Sequence, residues 1–109
     1  MKEVVFCGNA LEELRSFPVS ARREAGYQLD KVQNGKQPSD WKPMNGMGSG
    51  VVEIRIREDA GAFRVVYVAK FAERVYVLHC FQKKTQRTSH ADAWTVAKRY
   101  RELMRELGS

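Results

Sequence analysis

Cysteine and histidine are scarce in this sequence of 109 residues, which holds only Cys7, Cys80, His79 and His90. The two cysteines make neither a Cys-x-x-Cys pair nor a disulfide framework. A transition-metal site of the usual kind would need nearly all four residues at once, so no metal and no cofactor is expected. Long apolar runs are also missing. No window approaches the roughly 18 consecutive apolar residues that span a bilayer, and Met1-Lys2-Glu3-Val4-Val5-Phe6 is too short an apolar run for a signal peptide. The expectation is a cytoplasmic protein with no membrane partner. Acids are in the minority, 13 Asp plus Glu against 19 Lys plus Arg, giving a net charge of +6 that favours an anionic partner. Repeats and low-complexity segments are absent, and a chain near 100 residues buries roughly 65% of its unfolded surface. Residues 1–109 are therefore expected to form one domain.

What is present is a sequence of short periodic segments. Lys2 to Cys7 reads as a strand ended by Gly8. Asn9 with Glu12 suggests a capping box for a short helix that buries Leu11, Leu14 and Phe17. Pro18 opens a second helix, with Ala21, Ala25, Leu29 and Val32 at helical spacing and Asn34-Gly35 closing it. From Gly35 to Gly50 no periodicity survives, which predicts a long loop pinned by Trp41 and Met44. Val51 to Arg57 alternates cleanly, with Val52, Ile54 and Ile56 on one face and Glu53, Arg55 and Arg57 on the other. Ala62 to Ala69 and Arg74 to Phe81 follow after short connections and complete an antiparallel three-stranded meander. These last two runs are apolar on both faces, as central covered strands are. Ser89 with Asp92 caps a final helix whose stripe is Ala93, Ala97, Tyr100, Met104 and Leu107. The order, an N-terminal strand, a helical hairpin, the meander and a C-terminal helix, predicts an α+β fold.

Chemistry concentrates in the cations on and after the meander: Arg55, Arg57, Arg64, Lys83, Lys84 and Arg87. Arg55 and Arg57 share a strand face, and an antiparallel neighbour brings Arg64 beside them. Crowded like charges repel, so such a patch implies compensating acids or an anionic ligand; Glu53, Glu58 and Asp59 are the acids nearby. Taken alone, Arg55 and Arg57 read equally as a solvated face with surface ion pairs. Arg64 is sharper, because it interrupts a strand otherwise made of Phe63, Val65, Val66, Tyr67 and Val68. The run Phe81 to Thr88 then carries cations, amides and hydroxyls to the start of the last helix, where the helix dipole favours anions. His79 and Cys80 are adjacent on a strand and point to opposite faces, so they cannot act as a base and thiol pair. The alternatives for His79 are a hydrogen-bonded structural role or a proton carrier near the cations.

Three segments together, Val52-Glu53-Ile54-Arg55-Ile56-Arg57, Ala62-Phe63-Arg64-Val65-Val66-Tyr67 and Val77-Leu78-His79-Cys80-Phe81-Gln82-Lys83-Lys84-Thr85-Gln86, resemble the RelE/ParE toxin superfamily, closest to its HigB-like, phage-derived branch. The resemblance implies a small RelE-like toxin of a toxin–antitoxin pair. It also implies ribosome-dependent mRNA cleavage and a cognate antitoxin, often of helix-turn-helix type, that silences the toxin in a hetero-oligomer. Arg64 falls where the family places a catalytic arginine, Arg55 and Arg57 fall on the strand that supplies basic residues, and Lys83 or Lys84 matches the basic position after the last strand. The sequence departs from the family's ribonucleases in having no tyrosine in its tail, only Tyr100 in mid-helix. On this basis Arg64 would stabilise the transition state, Lys84 would move protons with His79 as a substitute, and Arg55, Arg57, Lys83 and Arg87 would hold RNA. ParE-like poisoning of DNA gyrase and a non-catalytic nucleic-acid-binding module are the alternatives.

Overall fold

The computed structural model describes residues 1–108. Its elements are β1 (Glu3–Phe6), α1 (Ala10–Arg15), α2 (Val19–Gln33), β2 (Trp41–Pro43), β3 (Val51–Glu58), β4 (Gly61–Val68), β5 (Arg74–Lys83) and α3 (His90–Glu106). The five strands form one mixed sheet in the order β1-β5-β4-β3-β2, with β1 parallel to β5 and the remaining pairs antiparallel. The predicted meander is thus the centre of a larger sheet. Strand β1 falls within the predicted Lys2–Cys7 strand, but its pairing with a segment some seventy residues away lay outside the reach of local pattern, as did β2, which has only three residues.

Strand β2 corrects the expectation of an unbroken loop from Gly35 to Gly50. Trp41-Lys42-Pro43 is too short to show alternation, and it is a strand because β3 offers it partners: Arg55 N–H donates to Asp40 O and Met44 N–H to Val51 O, both at 2.9 Å. That register turns the backbone groups of Trp41 and Pro43 outward. Pro43 has no N–H, so the outer edge lacks a donor that a further strand would need. The rest of the loop is tied down elsewhere. Gln28, buried in α2, exchanges hydrogen bonds with the backbone and hydroxyl of Ser39, while Met44 and Met47 pack beneath α3. At Gly48, whose φ is 137°, a side chain would collide with the Tyr100 ring.

Helices α1 and α2 cover one sheet face. Ala10, Leu14, Phe17, Ala21, Ala25, Leu29 and Val32 meet Ile54, Ile56, Phe63, Val65, Val77 and Cys80. Helix α3 covers the other, where Val96 and Leu103 join Val51, Val66, Val68, Tyr76 and Leu78. The buried stripe of α3 therefore runs through Val96 and Leu103 rather than through Ala93, Ala97 and Leu107. Both tracks obey the helical period, and the position of β5 decides between them. Asn9 makes no side-chain capping bond, since the Gly8-Asn9 turn leaves its backbone in a turn conformation, whereas Ser89 Oγ accepts from Asp92 N–H at 3.1 Å as expected. No helix among the described residues is long and apolar enough to cross a membrane.

Candidate functional site

Strand pairing sorts the α3 face of the sheet into cross-strand rows. Glu53, Val66 and His79 form one row, Arg55, Arg64 and Phe81 the next, and Arg57, Ala62 and Lys83 the last. The hydrophobic cluster beneath α3 reaches Phe81, so the last row lies beyond its cover. There the small Ala62 separates two long cations and leaves a cleft of about 460 Å³, lined also by Arg64, Lys84, Thr85 and Gln86. No carboxylate lines it. Four cations from β3, β4, β5 and the loop that follows β5 thus converge on one concavity, where their mutual repulsion remains for an anion to relieve.

Arg64 is the most constrained of the four. It is 7% exposed, and its charge is balanced from within the sheet by Glu53, 1% exposed and diagonal to it across the ladder. Glu53 Oε1 lies 3.3 Å from Arg64 Nε, but the two are misaligned and form an ion pair without a hydrogen bond; Arg64 Nη1 donates instead to Phe63 O at 3.1 Å. Glu53 is the compensating acid, so Arg64 enters the cleft with part of its charge already offset. Lys83 carries the electrostatic signature of the site: burial, with Arg64 beside it, holds its ammonium below the ordinary lysine value, against a weaker opposing pull from Glu53.

Other residues singled out in the sequence lie apart. Arg55 neighbours Arg64 in register but turns to solvent and pairs with Asp40 at 2.8 Å. Arg87 lines a smaller adjoining hollow of about 170 Å³ with Lys83, Lys84, Ser89 and Asp92. His79 is not in the cleft. A β-bulge opposite the Val66–Tyr67 step gives β5 an extra residue, Leu78, which joins the α3 cluster. His79 Nδ1 is 2.9 Å from Glu13 Oε1 and Nε2 is 2.7 Å from Asp92 Oδ1, so each ring nitrogen faces a carboxylate and the imidazole bridges α1 and α3.

Around His79 lies a network with no local signal in the sequence. Glu13 in α1 accepts the Cys80 N–H at 3.1 Å and two bonds from the Arg99 guanidinium at 2.9 and 3.1 Å. Burial would raise its carboxyl, but the bonds from His79, Arg99 and Cys80 overcome that and hold it down to about 2. Arg99 also donates to Leu78 O at 2.9 Å, and it packs so closely on Gly8, whose φ is 53°, that no side chain fits there. The network joins α1, β5 and α3 and fixes the start of α3 behind the cleft. Burial meanwhile pushes the Cys7 thiol up to about 11 and the Cys80 thiol up to about 12, so neither is a nucleophile at neutral pH.

Comparison with known proteins places the chain. Residues 12–101 match the family described as phage-derived protein Gp49-like (DUF891). The chain belongs to that family. Among solved structures, this Gp49-like chain is similar to an arginine-to-alanine double mutant of the Escherichia coli toxin RelE in the free state. The TM-score is 0.62 at 17% identity, over 94% of this chain and 97% of the other. At that identity the likeness establishes a RelE-like fold for the Gp49-like chain. No curated protein sequence matches it significantly.

Proposed function

We propose that the protein is the toxin of a type II toxin–antitoxin pair, a single RelE/ParE-like domain of the HigB-like branch that cleaves mRNA on the ribosome in the cytoplasm. The observation that carries this reading is the acid-free cleft of Arg57, Arg64, Lys83 and Lys84 on a RelE-like fold. Cleavage through the 2′-hydroxyl needs that hydroxyl deprotonated, the phosphorane charge stabilised and the 5′-oxygen protonated. Arginine suits the second task, because its planar fork grips phosphate and keeps its proton. Arg64 is held by Glu53 and Phe63 O in a fixed position and serves as transition-state stabiliser, with Arg57 as a phosphate holder. The proton carriers are Lys83 and Lys84. Lys83 is the stronger choice, since its surroundings already favour loss of its proton. Arg55 and Arg87 extend the RNA track on either side. His79 acts at one remove, holding Asp92 and with it the start of α3. In this reading the cations supply the positive charge that a metal supplies in other nucleases. A cognate antitoxin, often of helix-turn-helix type in this branch, silences the toxin as a hetero-oligomer.

The test is induction in a bacterial host with transcripts mapped in the presence and absence of translation. Arg64→Ala alone would leave Glu53 buried without its partner, so the informative variants are Lys83→Ala/Lys84→Ala and the charge-neutral pair Glu53→Gln/Arg64→Gln. Growth arrest with translation-dependent transcript cleavage, lost in both folded variants, is the expected result. DNA damage with an SOS response and intact transcripts would replace this reading with gyrase poisoning.

A further inference from the structure

A second concavity lies at the opposite end of the β3–β4 pair from the cationic cleft. It encloses about 330 Å³ beside the C-terminal end of α2, and Val32, Val52 and Ala69 give it apolar walls. Trp41 of β2, 36% exposed, stands alongside them. Tyr67 also lines it. Its ring is buried, its hydroxyl makes no hydrogen bond among the described residues, and burial pushes the phenol up to about 12, which keeps the hydroxyl a neutral donor. Three lysines, Lys2, Lys36 and Lys70, contribute to the lining and no carboxylate does. Lys2 Nζ is held on Ala69 O, Lys70 turns its ammonium to the Tyr100 hydroxyl at 3.3 Å, and Lys36 is exposed.

We propose that this cavity seats one apolar or aromatic side chain projecting from an acidic segment of a partner protein, with the flanking carboxylates meeting the lysines. The volume sits at the low end of the roughly 300–1,000 Å³ typical of small-molecule pockets and suits a single large side-chain anchor. Apolar walls with one unused hydroxyl favour an uncharged body, while the acid-free lysine surround on a chain of net charge +6 selects negative neighbours. A polynucleotide is the poorer fit, because Val32, Val52 and Ala69 wall the cavity with aliphatic groups that neither stack on a base nor hydrogen-bond its edges. This docking site goes beyond the cleft reading and does not depend on it.

The test titrates isotope-labelled protein with the peptides EEFEE, EEAEE and KKFKK and with hexauridylate, following the Trp41 indole N–H by NMR and assigning it with Trp41→Ala. EEFEE is expected to shift that signal saturably, and EEAEE and KKFKK to bind at least fivefold more weakly. Lys36→Glu and Tyr67→Phe, each checked for native signal dispersion, should each weaken EEFEE at least threefold. No shift with EEFEE at millimolar concentration, equal binding of EEAEE, or tighter binding of hexauridylate at the same signal would overturn the proposal. None of these outcomes bears on RNA cleavage at the cleft.

Discussion

Replacing Glu13 by Gln isolates the energetic weight of the network that joins α1, β5 and α3. The carboxylate accepts from four donors, the Cys80 N–H, His79 Nδ1 and two guanidinium N–H groups. Glutamine keeps one accepting oxygen and turns an NH2 group toward cationic donors. The fall of the carboxyl from 4.5 to about 2 measures the preference for the charged form. At about 1.4 kcal/mol for each tenfold change in proton affinity, that preference is worth about 3 kcal/mol. Solvent reaches 23% of the Glu13 side chain, and screening reduces the figure to about 2 kcal/mol. At pH 7, Glu13→Gln should therefore lower the unfolding free energy in urea by about 2 kcal/mol and the melting temperature by roughly 8–16 °C. The sign with pH follows from a carboxyl depressed in the folded state. Its contribution is complete above pH 4.5 and is lost as pH falls toward 2, so the gap between wild type and variant should close over that window. A gap below about 0.5 kcal/mol at pH 7, or one unchanged between pH 5 and 2.5, would refute the assignment of Glu13 as an ionised hub.

Two further outcomes follow from the fold and the cleft. Four cleft cations holding single-stranded RNA predict a slope of log K against log salt near −3, at roughly 0.7 per phosphate contact, and Lys83→Ala should reduce that slope by about 0.7 in a filter-binding series. Pro43→Val restores an outward N–H on the β2 edge and is expected to promote self-association, which sedimentation velocity at increasing concentration would detect; an unchanged monomer would show that proline does not protect this edge.

Legibility in the sequence followed the range of the interactions. The stripe of α2 and the alternation of β3 were written in periods of 3.6 and 2, and each survives in the burial of Ala21, Ala25, Leu29, Val32, Ile54 and Ile56. The Ser89 cap spans only three residues and was equally plain. Strand β2 was not, because three residues containing a proline carry no period and only pairing with β3 makes them a strand. Among the cations, Arg57 and Arg64 gather as the strand pattern suggested, with Lys83 and Lys84 from the Phe81 to Thr88 run beside them, yet pattern could not show that Arg55 would turn to Asp40. His79 illustrates the same limit. Its place on a strand near the cations was visible, but its two carboxylate partners come from α1 and α3.

By itself the sequence determined which residues enter the helices and every strand but β2, that the outer cations of β3 lie opposite its buried aliphatics, and that Arg64 stands out in an apolar strand. Those properties depend on neighbours within a few positions, where backbone periodicity alone sets which side chains share a face. Only the tertiary structure decided that Glu53 offsets Arg64, that Glu13 captures His79 and Arg99, and that Ala62 leaves room for a cleft between Arg57 and Lys83. Each of those depends on strand register and on how helices lie against the sheet, and such long-range contacts have no imprint in local spacing.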